Sequence, residues 1–389
     1  MERRNFMIKT SQMMTVSMFI SAVVGSPIFA GTTPKLQKPE RWTKRPKPSD
    51  FDQPILKAIA LGINAPSPHN TQSWKFKIVD EQEMLLYVDE NRLLPATDPP
   101  SRQIHMGAGC FIETLIIGAS SLGYQTQVNY FPEGYQSQAD FGQKPVASIR
   151  LKEGGAKDPL ADYIYKRQTN RKSYTAEKIS QATFESIKAN AGKSHSRLIF
   201  RNEDLTDLKN IFYQGLDIES RTYRTNEETR RLFSFNEKQR AKKRYGLSMP
   251  QMGYEGLTKT IVELAVDNGN PKKWHDPKTI DKSMKSIKKA IDSTQGVVCW
   301  ISPSNSYLDW IASGRDFVRF SLSLCQFGMY AHPYNQALQE FDEMEELSVE
   351  LDRIWDVKAG EKIQMMVRIG KSKAPYYSYR QHLQSYLLE

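Results

Sequence analysis

Hydrophobic positions change their spacing abruptly on the two sides of residue 70. Residues 55–63 carry apolar side chains at helical spacing, whereas Trp74, Phe76 and Ile78 alternate with polar residues. The first pattern predicts a helix over 53–64 and the second a strand over 74–79. The segment between them, Ala-Pro-Ser-Pro-His-Asn-Thr-Gln-Ser-Trp at 65–74, predicts a turn in which two prolines restrict the backbone. An ordinary helix–strand turn is the alternative interpretation, because proline, serine and asparagine are common in turns.

The same succession of patterns occurs twice along the chain. We therefore expect an α+β fold of two tandem lobes, over 51–155 and 156–389. The first lobe is predicted to contain helix 53–64, strands 74–79 and 84–88, Arg102 ahead of helix 108–122, and strand 146–151. The second is predicted to contain helix 180–189, strands 197–200 and 296–301, Arg315 ahead of helix 316–329, and strand 363–369.

Residues 202–285 have no counterpart in the first lobe. An insertion of this size often covers a site as a lid, which is one expectation for this segment. A peripheral helical subdomain is the other.

The first thirty residues read as an export signal. Arg3 and Arg4 are followed by Phe6, residues 13–24 are modestly apolar but too short to span a bilayer, and Ile-Phe-Ala at 28–30 is an acceptable cleavage site. This pattern predicts a twin-arginine signal cut near Ala30 and a periplasmic or exported protein that meets the twin-arginine machinery. A plain secretory signal, or a cytoplasmic protein with a basic start, is the alternative. Residues 31–50 are predicted to be an extended linker.

Charge and composition exclude some classes of function. The chain has 54 basic and 44 acidic residues, but the densest basic run, 238–244, lacks interleaved aromatic residues, so we expect no nucleic-acid partner. A solvated helical face explains that run, with an anionic ligand or a membrane surface as a minor alternative. No later segment is apolar enough for stable membrane insertion. The three cysteines form no close pair and no metal-binding spacing, so buried free thiols and no metal site are expected.

Two motifs resemble those of the FMN-dependent nitroreductase family. The turn keeps the family pattern Pro-Ser-x-x-Asn-x-Gln-Pro-Trp, except that Ser73 replaces the second proline. Arg167-Gln-Thr169-Asn-Arg171, ahead of the first helix of the second lobe, is similar to the family's Arg-x-Ser/Thr-x-Arg stretch. Guanidinium groups and a hydroxyl suit a terminal phosphate, although a surface charge pair is the alternative for Arg167 and Arg171.

The two lobes lack complementary parts of that motif set. The second lobe has Ala-Gly-Lys-Ser-His at 191–195 where the turn would stand, and the first lobe has no such arginines near residue 50. In the family, the flavin lies at a dimer interface, with the phosphate contacts and the turn supplied by different subunits. The resemblance therefore implies a monomeric, fused pseudo-dimer that keeps one complete site.

The resemblance also implies roles for particular residues. The flavin ring is expected to contact the turn, and the phosphate of FMN is expected to contact the second-lobe motif. Arg368 and Arg380 of the tail are further candidates for binding the phosphate, or else they are solvated charges at a strand end. Arg102 is expected at the pyrimidine edge, with Arg315 as its repeat mate at the lost site. The implied cofactor-binding residues are Ser67, His69, Asn70, Gln72, Arg102, Arg167, Thr169, Arg171, Arg368 and Arg380.

The implied function is two-electron transfer through FMN from a small-molecule donor to a nitroaromatic or quinone-like acceptor. No side chain is assigned as a nucleophile or proton donor. A non-catalytic flavin-sequestering or storage protein is the second hypothesis, because a lidded single site also suits retention. A basic surface-binding protein without a cofactor is the third.

Overall fold

The structure is a computed structural model that describes residues 45–388. The predicted export signal and most of the predicted linker lie outside the described residues. Within residues 45–388, no helix is both long enough and apolar enough to cross a membrane.

The first half contains two helices and four strands. Helix α1 begins with a proline at its first position, where the missing N–H costs no hydrogen bond. These elements are α1 (Pro54–Gly62), β1 (Trp74–Ile78), β2 (Glu83–Val88), α2 (Arg102–Ser120), β3 (Tyr124–Tyr130) and β4 (Ala147–Glu153).

The second half has the same order of elements, interrupted by a mainly helical insertion and by one additional helix before its last strand. The insertion contains α4 (Thr206–Arg221), α5 (Tyr223–Leu232), β6 (Phe233–Ser234), α6 (Glu237–Lys243), β7 (Leu247–Ser248), α7 (Gly256–Ala265), α8 (Pro271–Trp274) and α9 (Pro277–Asp292). The other elements are α3 (Gln181–Ala191), β5 (Arg197–Arg201), β8 (Gly296–Ser302), α10 (Tyr307–Gln326), β9 (Tyr330–Pro333), α11 (Glu345–Ile354) and β10 (Lys362–Gly370).

Each half contributes one four-stranded antiparallel sheet with the same strand order. The first sheet runs β1-β2-β4-β3 and the second β5-β8-β10-β9, so the fourth strand lies between the second and third in both. The α+β class is confirmed. Strands β3 and β9 are missing from the sequence-based expectation. Both lie at a sheet edge, where β3 alternates half-buried with exposed residues and so offers little hydrophobic signal.

Helices α2 and α10 pack against each other in the centre of the molecule. A methyl group built at Gly109 would lie 2.0 Å from the carbonyl oxygen of Ile311, and one built at Gly314 would lie 2.0 Å from that of Met106. The two contacts are reciprocal, because Gly314 and Ile311 lie 205 residues after Gly109 and Met106, respectively. The glycines are therefore required because the two backbones touch where the helices cross.

This offset corrects the predicted pairing of Arg102 with Arg315. Arg102 is the first residue of α2 and its counterpart in α10 is Tyr307, whereas the counterpart of Arg315 is Cys110. The prediction placed Arg315 ahead of its helix, but α10 begins earlier, at a Ser306–Asp309 capping box.

Candidate functional site

The turn after α1 has an unusual backbone. His69, Asn70 and Gln72 have φ values of 43°, 54° and 54°, in the left-handed region that residues other than glycine seldom occupy. The Ser67 hydroxyl holds the turn from inside, because its Oγ accepts a hydrogen bond from the Gln72 amide at 2.9 Å. Strain of this kind persists only where the surroundings fix it, and it concentrates at functional sites.

Distant parts of the chain fix the two amide side chains of the turn. Gln72 Oε1 accepts hydrogen bonds from the Gln381 amide at 3.1 Å and from the Tyr386 hydroxyl. Asn70 Oδ1 accepts from Arg380 Nη1 at 3.0 Å. The tail of the chain therefore determines which way both amides face.

Ser73, which replaces the family proline, has its own partners. Its hydroxyl donates to the Arg92 carbonyl at 2.8 Å and contacts Thr71 Oγ1 at 2.9 Å. The substitution exchanges a rigid ring for a buried side-chain hydrogen bond that ties the turn to the segment after β2.

Three buried arginines converge at the C-terminal end of α1, immediately before the turn. Arg380 Nε and Nη2 donate to the Ile63 and Ala65 carbonyls at 2.6 and 2.8 Å, and Arg167 Nη2 donates to the Asn64 carbonyl at 3.3 Å. Arg45 Nη1 donates to Asn64 Oδ1 at 3.0 Å. The negative end of a helix attracts such cations.

The sequence analysis missed Arg45, which lies in the predicted linker. Its guanidinium also donates to the Ser378 carbonyl at 2.9 Å and lies 3.9 Å above the Tyr377 ring. Both partners are more than 330 positions away in the chain, so no local pattern could reveal the contact.

Arg171 and Arg368 form a second group with two histidines. Arg171 donates to the Gln251 carbonyl at 3.4 Å, and Arg368 Nε donates to His332 Nδ1 at 3.1 Å. Burial, assisted by the positive charge of Arg171, lowers the pKa of His69 to about 4. Burial likewise depresses the pKa of His332, assisted by Arg368 and Arg171. Both imidazoles are therefore neutral at pH 7.

The arginines differ in how many hydrogen bonds other residues of the protein accept from their guanidinium groups. Arg368 is held by the carbonyls of Ala290 and Lys172, and Arg380 by three oxygens of the turn region. Arg167 and Arg171 make one long hydrogen bond each within residues 45–388. Burial lowers the pKa of both, in Arg171 to about 10. Among the described residues, no carboxylate forms an ion pair with either.

Two predicted site residues stand apart. Arg102 is fully buried, and its guanidinium donates to the Leu338 carbonyl at 2.6 Å and pairs with Glu340 at 3.1 Å. Apart from Met106 of its own helix, its hydrogen-bond partners lie in the second half and not in the turn, because the first turn of α2 packs against the segment before α11. A position of Arg102 at the pyrimidine edge stays a prediction. Thr169 is half-buried in a bridge with Ala331.

The insertion contacts the turn directly. Two hydrogen bonds join Gly246 of the insertion to Asn70 of the turn. The Gly246 N–H donates to the Asn70 carbonyl at 2.8 Å, and the Asn70 side chain donates through Nδ2 to the Gly246 carbonyl at 2.9 Å. Gln72 Nε2 donates to the Arg244 carbonyl at 3.0 Å. A small cleft lies beside these contacts, lined by Asn70, Ser234, Arg240, Arg244, Tyr245, Gly246, Leu247, Gln251, Tyr376 and Tyr379.

Unpartnered polar atoms lie beside the same groups. Among the described residues, His69 Nδ1, Gln168 Nε2 and Gln381 Nε2 are buried without a hydrogen-bond partner. Gln168 follows Arg167 and Gln381 follows Arg380. Buried donors without acceptors are costly, so this region retains hydrogen-bonding capacity that the protein itself does not use.

In the corresponding region of the second half, near the end of α3, the charged side chains are paired with other residues of the protein. Glu113 is buried and binds Arg315 Nε at 2.7 Å and Arg319 Nη1 at 2.9 Å. Asp316 accepts hydrogen bonds from the amides of His195 and Ser196 at 3.1 and 2.8 Å. The arginines of this region have carboxylate partners, whereas Arg167 and Arg171 form no ion pair among the described residues.

Comparison with known proteins gives partial sequence similarity. A provisionally named NAD(P)H nitroreductase of Mycobacterium tuberculosis is 28% identical over 123 residues, which cover 31% of this chain and 34% of that protein. A second, acg, also provisionally named an NAD(P)H nitroreductase, is 32% identical over 78 residues, 20% of this chain and 23% of that protein. The matches thus span about a third or less of each relative. No protein-family model matches the chain.

Two solved structures overlap with this one only loosely. The FMN-dependent nitroreductase NfnB from Mycobacterium smegmatis, in complex with NADPH, is 13% identical over 58% of this chain and 96% of its own, with a TM-score of 0.35. An iodotyrosine deiodinase bound to FMN and 3-iodo-L-tyrosine is 14% identical over 57% and 95%, with a TM-score of 0.32. At these values the overlaps carry no argument about this chain. The sequence similarity supports a relation to the nitroreductase family.

Proposed function

We propose that this protein is an FMN-dependent oxidoreductase of the nitroreductase type, built as an intramolecular pseudo-dimer with one flavin site. The equal strand order of the two sheets and the reciprocal glycine contacts support the pseudo-dimer. The similarity to nitroreductases supports the reaction class.

One observation carries the proposal: Arg167 and Arg171 lie beside the strained turn with no carboxylate in ion-pair contact among the described residues. Leaving a buried guanidinium without a counter-charge costs several kcal/mol. A phosphate dianion offers both the charge and the planar, bidentate acceptors that arginine prefers. The unpartnered amides of Gln168 and Gln381, next in sequence to Arg167 and Arg380, add neutral donors.

The residues present therefore fit FMN. Arg167 and Arg171 would hold its phosphate, with Arg380 held beside them by the turn, and Ser67, Asn70 and Gln72 would orient the ring through side chains that the tail already fixes. His69 is neutral at pH 7 and so adds a polar group without a charge. When bound, FMN supplies two-electron chemistry for a small donor and a nitroaromatic or quinone-like acceptor.

The covering segment favours a second candidate, flavin storage. Asn70 and Gln72 form hydrogen bonds with Gly246 and Arg244, so the insertion restricts access to the turn. A site that holds FMN without admitting a donor would keep the same phosphate contacts.

An anaerobic reduction experiment tests the enzyme against the storage protein. Purified protein loaded with FMN is treated with NADPH, then with dithionite, and finally with a nitroaromatic compound or a benzoquinone. An oxidoreductase is expected to bleach with a reductant and to recover its yellow colour with the acceptor. Protein that is bleached by dithionite but not reoxidised by either acceptor would contradict turnover and favour storage.

We also infer export by the twin-arginine route from Arg3, Arg4 and Phe6. Cell fractionation of the full chain and of the Arg3→Lys, Arg4→Lys variant tests it. The full chain is expected in the exported fraction and the variant inside the cell. Equal export of both would contradict the twin-arginine route.

A further inference from the structure

Helix α7 of the insertion presents an apolar stripe to solvent. Leu257, Ile261 and Leu264 are 76%, 57% and 74% exposed. Their i, i+4, i+7 spacing places them on one face of the helix. The opposite side of α7 packs through Val262 against the small core that includes Met249 and Phe235.

This exposed stripe carries no charge. The two charged side chains of α7, Lys259 and Glu263, are spaced for another face and bind each other at 3.6 Å. Glu263 also binds Arg240 at 2.8 Å. A solvated helix normally exposes charged residues, so an aliphatic outer face indicates contact with another apolar phase.

Lysines dominate the next two helices. Helix α9 exposes a single row with i, i+4, i+7, i+11 spacing, opposite the buried Ile280 and Met284. The short helix α8 adds Lys272 and Lys273, and the turn at 267–269 contacts both α7 and α8. None of these six lysines has an ion pair within residues 45–388. The row consists of Lys278, Lys282, Lys285 and Lys289.

We propose that this surface, the α7 stripe with the lysines of α8 and α9, binds anionic phospholipid bilayers. Aliphatic side chains at the acyl boundary beside lysines at the headgroups are the general arrangement of interfacial helices. Anionic headgroups supply the counter-charge that these lysines lack. The inference goes beyond the proposed electron transfer and does not require bound FMN.

A second copy of the chain suits this surface less well. Three aliphatic side chains are far below the roughly 800 Å² per partner that a stable dimer buries. Bringing two such surfaces together would also place like-charged lysine rows close to each other, which is unfavourable.

Vesicle co-sedimentation of the full chain tests the proposal. The vesicles contain phosphatidylcholine alone or phosphatidylcholine and phosphatidylglycerol in equal parts. Binding to the anionic vesicles is expected to be at least about tenfold tighter at low salt and to weaken as salt screens the lysines. Two double variants, Ile261→Asp with Leu264→Asp and Lys282→Glu with Lys285→Glu, are each expected to lose about tenfold in affinity.

Matched control variants show whether a loss of lipid binding is specific to this surface or follows from any similar change of charge or polarity elsewhere. Val349→Asp changes an exposed aliphatic residue of α11, and Lys77→Glu with Lys178→Glu reverses two exposed charges elsewhere. Residues 1–44 are the same in every protein, so their own lipid affinity cancels in the comparison. Equal binding by all variants, or equal binding to both vesicle types, would overturn the proposal. So would sedimentation velocity showing that the α7 variant converts a dimer to a monomer while lipid binding is unchanged.

Discussion

The turn after α1 and the segment after α3 occupy related places in two halves with the same strand order, yet their charges are balanced differently. Near the turn, Arg167 is buried and Arg171 is half-buried, and neither has a carboxylate partner among the described residues. Beside the end of α3, Arg319 of α10 donates to the Ala191 carbonyl, and Arg315 and Arg319 share the buried Glu113 of α2. One scaffold can therefore either neutralise its cations internally or leave them for an anionic ligand.

The largest expected effect is at the internally neutralised region. Replacing both Arg315 and Arg319 with Ala leaves Glu113 buried without a cation, which costs about 3–5 kcal/mol in the free energy of unfolding. Urea denaturation measures the loss. Arg353→Ala, at an exposed arginine, is the control and is expected to change stability by less than about 0.5 kcal/mol. A loss that small in the double variant would show that the two regions do not differ as described.

Arg171→Ala is expected to weaken flavin binding without destabilising the protein, unlike the double variant at Arg315 and Arg319. FMN binding should weaken roughly 10–100-fold, because a charged hydrogen bond contributes about 1.5–3 kcal/mol. The flavin-free protein should be as stable as the wild type or more so, since a half-buried charge without an ion-pair partner among the described residues is removed. Flavin fluorescence titration and urea denaturation measure the two quantities.

Arg315→Ala is the matched control for flavin binding and should leave the affinity within about twofold, since Glu113 and Tyr130 hold this side chain. Unchanged FMN affinity in Arg171→Ala would remove Arg171 from the phosphate site. A large loss of affinity in Arg315→Ala would mean that the region after α3 also binds the cofactor.

The helix crossing tests whether the two halves are equivalent away from the site. Gly109→Ala and Gly314→Ala each place a methyl group against a carbonyl of the other helix, so each should cost about 1–3 kcal/mol. Thermal unfolding compares them. Losses that differ severalfold would argue against the reciprocal contact.

The smallest effect concerns pH and His69. Its pKa is about 4 in the folded protein and near 6.5 when unfolded, so the unfolded chain binds the proton first as pH falls. Stability from this group is therefore complete above pH 6.5 and is lost as pH falls towards 4. His69→Gln should lose less stability than the wild type between pH 7.5 and 5, measured by urea denaturation. A larger loss in the variant would contradict a neutral, buried His69.

Most of the regular structure could be predicted because hydrophobic spacing reports which face of an element is buried. The strands containing Trp74 and Val298 have this signal, whereas the edge strand Tyr124–Tyr130 does not. The turn sequence predicted a polar loop, but its three positive φ values depend on contacts with the tail. Arg45 was unpredictable for the same reason, because only the folded tail brings it to Asn64.

The arginines were harder to assign than the turn. The sequence placed Arg167 and Arg171 in a recognisable motif, and the structure brings Arg167 to the residues preceding the turn. Arg102 and Arg315 each precede an apolar run, but only packing decides their partners, which are Glu340 for one and Glu113 for the other. A charge pattern alone does not distinguish a ligand-binding arginine from one that is neutralised internally.

Titration of the flavin-free protein with FMN and with riboflavin tests the central claim most directly. We expect one FMN per chain and binding of riboflavin at least about 100-fold weaker, because riboflavin lacks the phosphate that the arginines would hold. Two FMN molecules per chain, equal affinity for riboflavin, or no FMN binding at all would contradict a single site defined by Arg167 and Arg171.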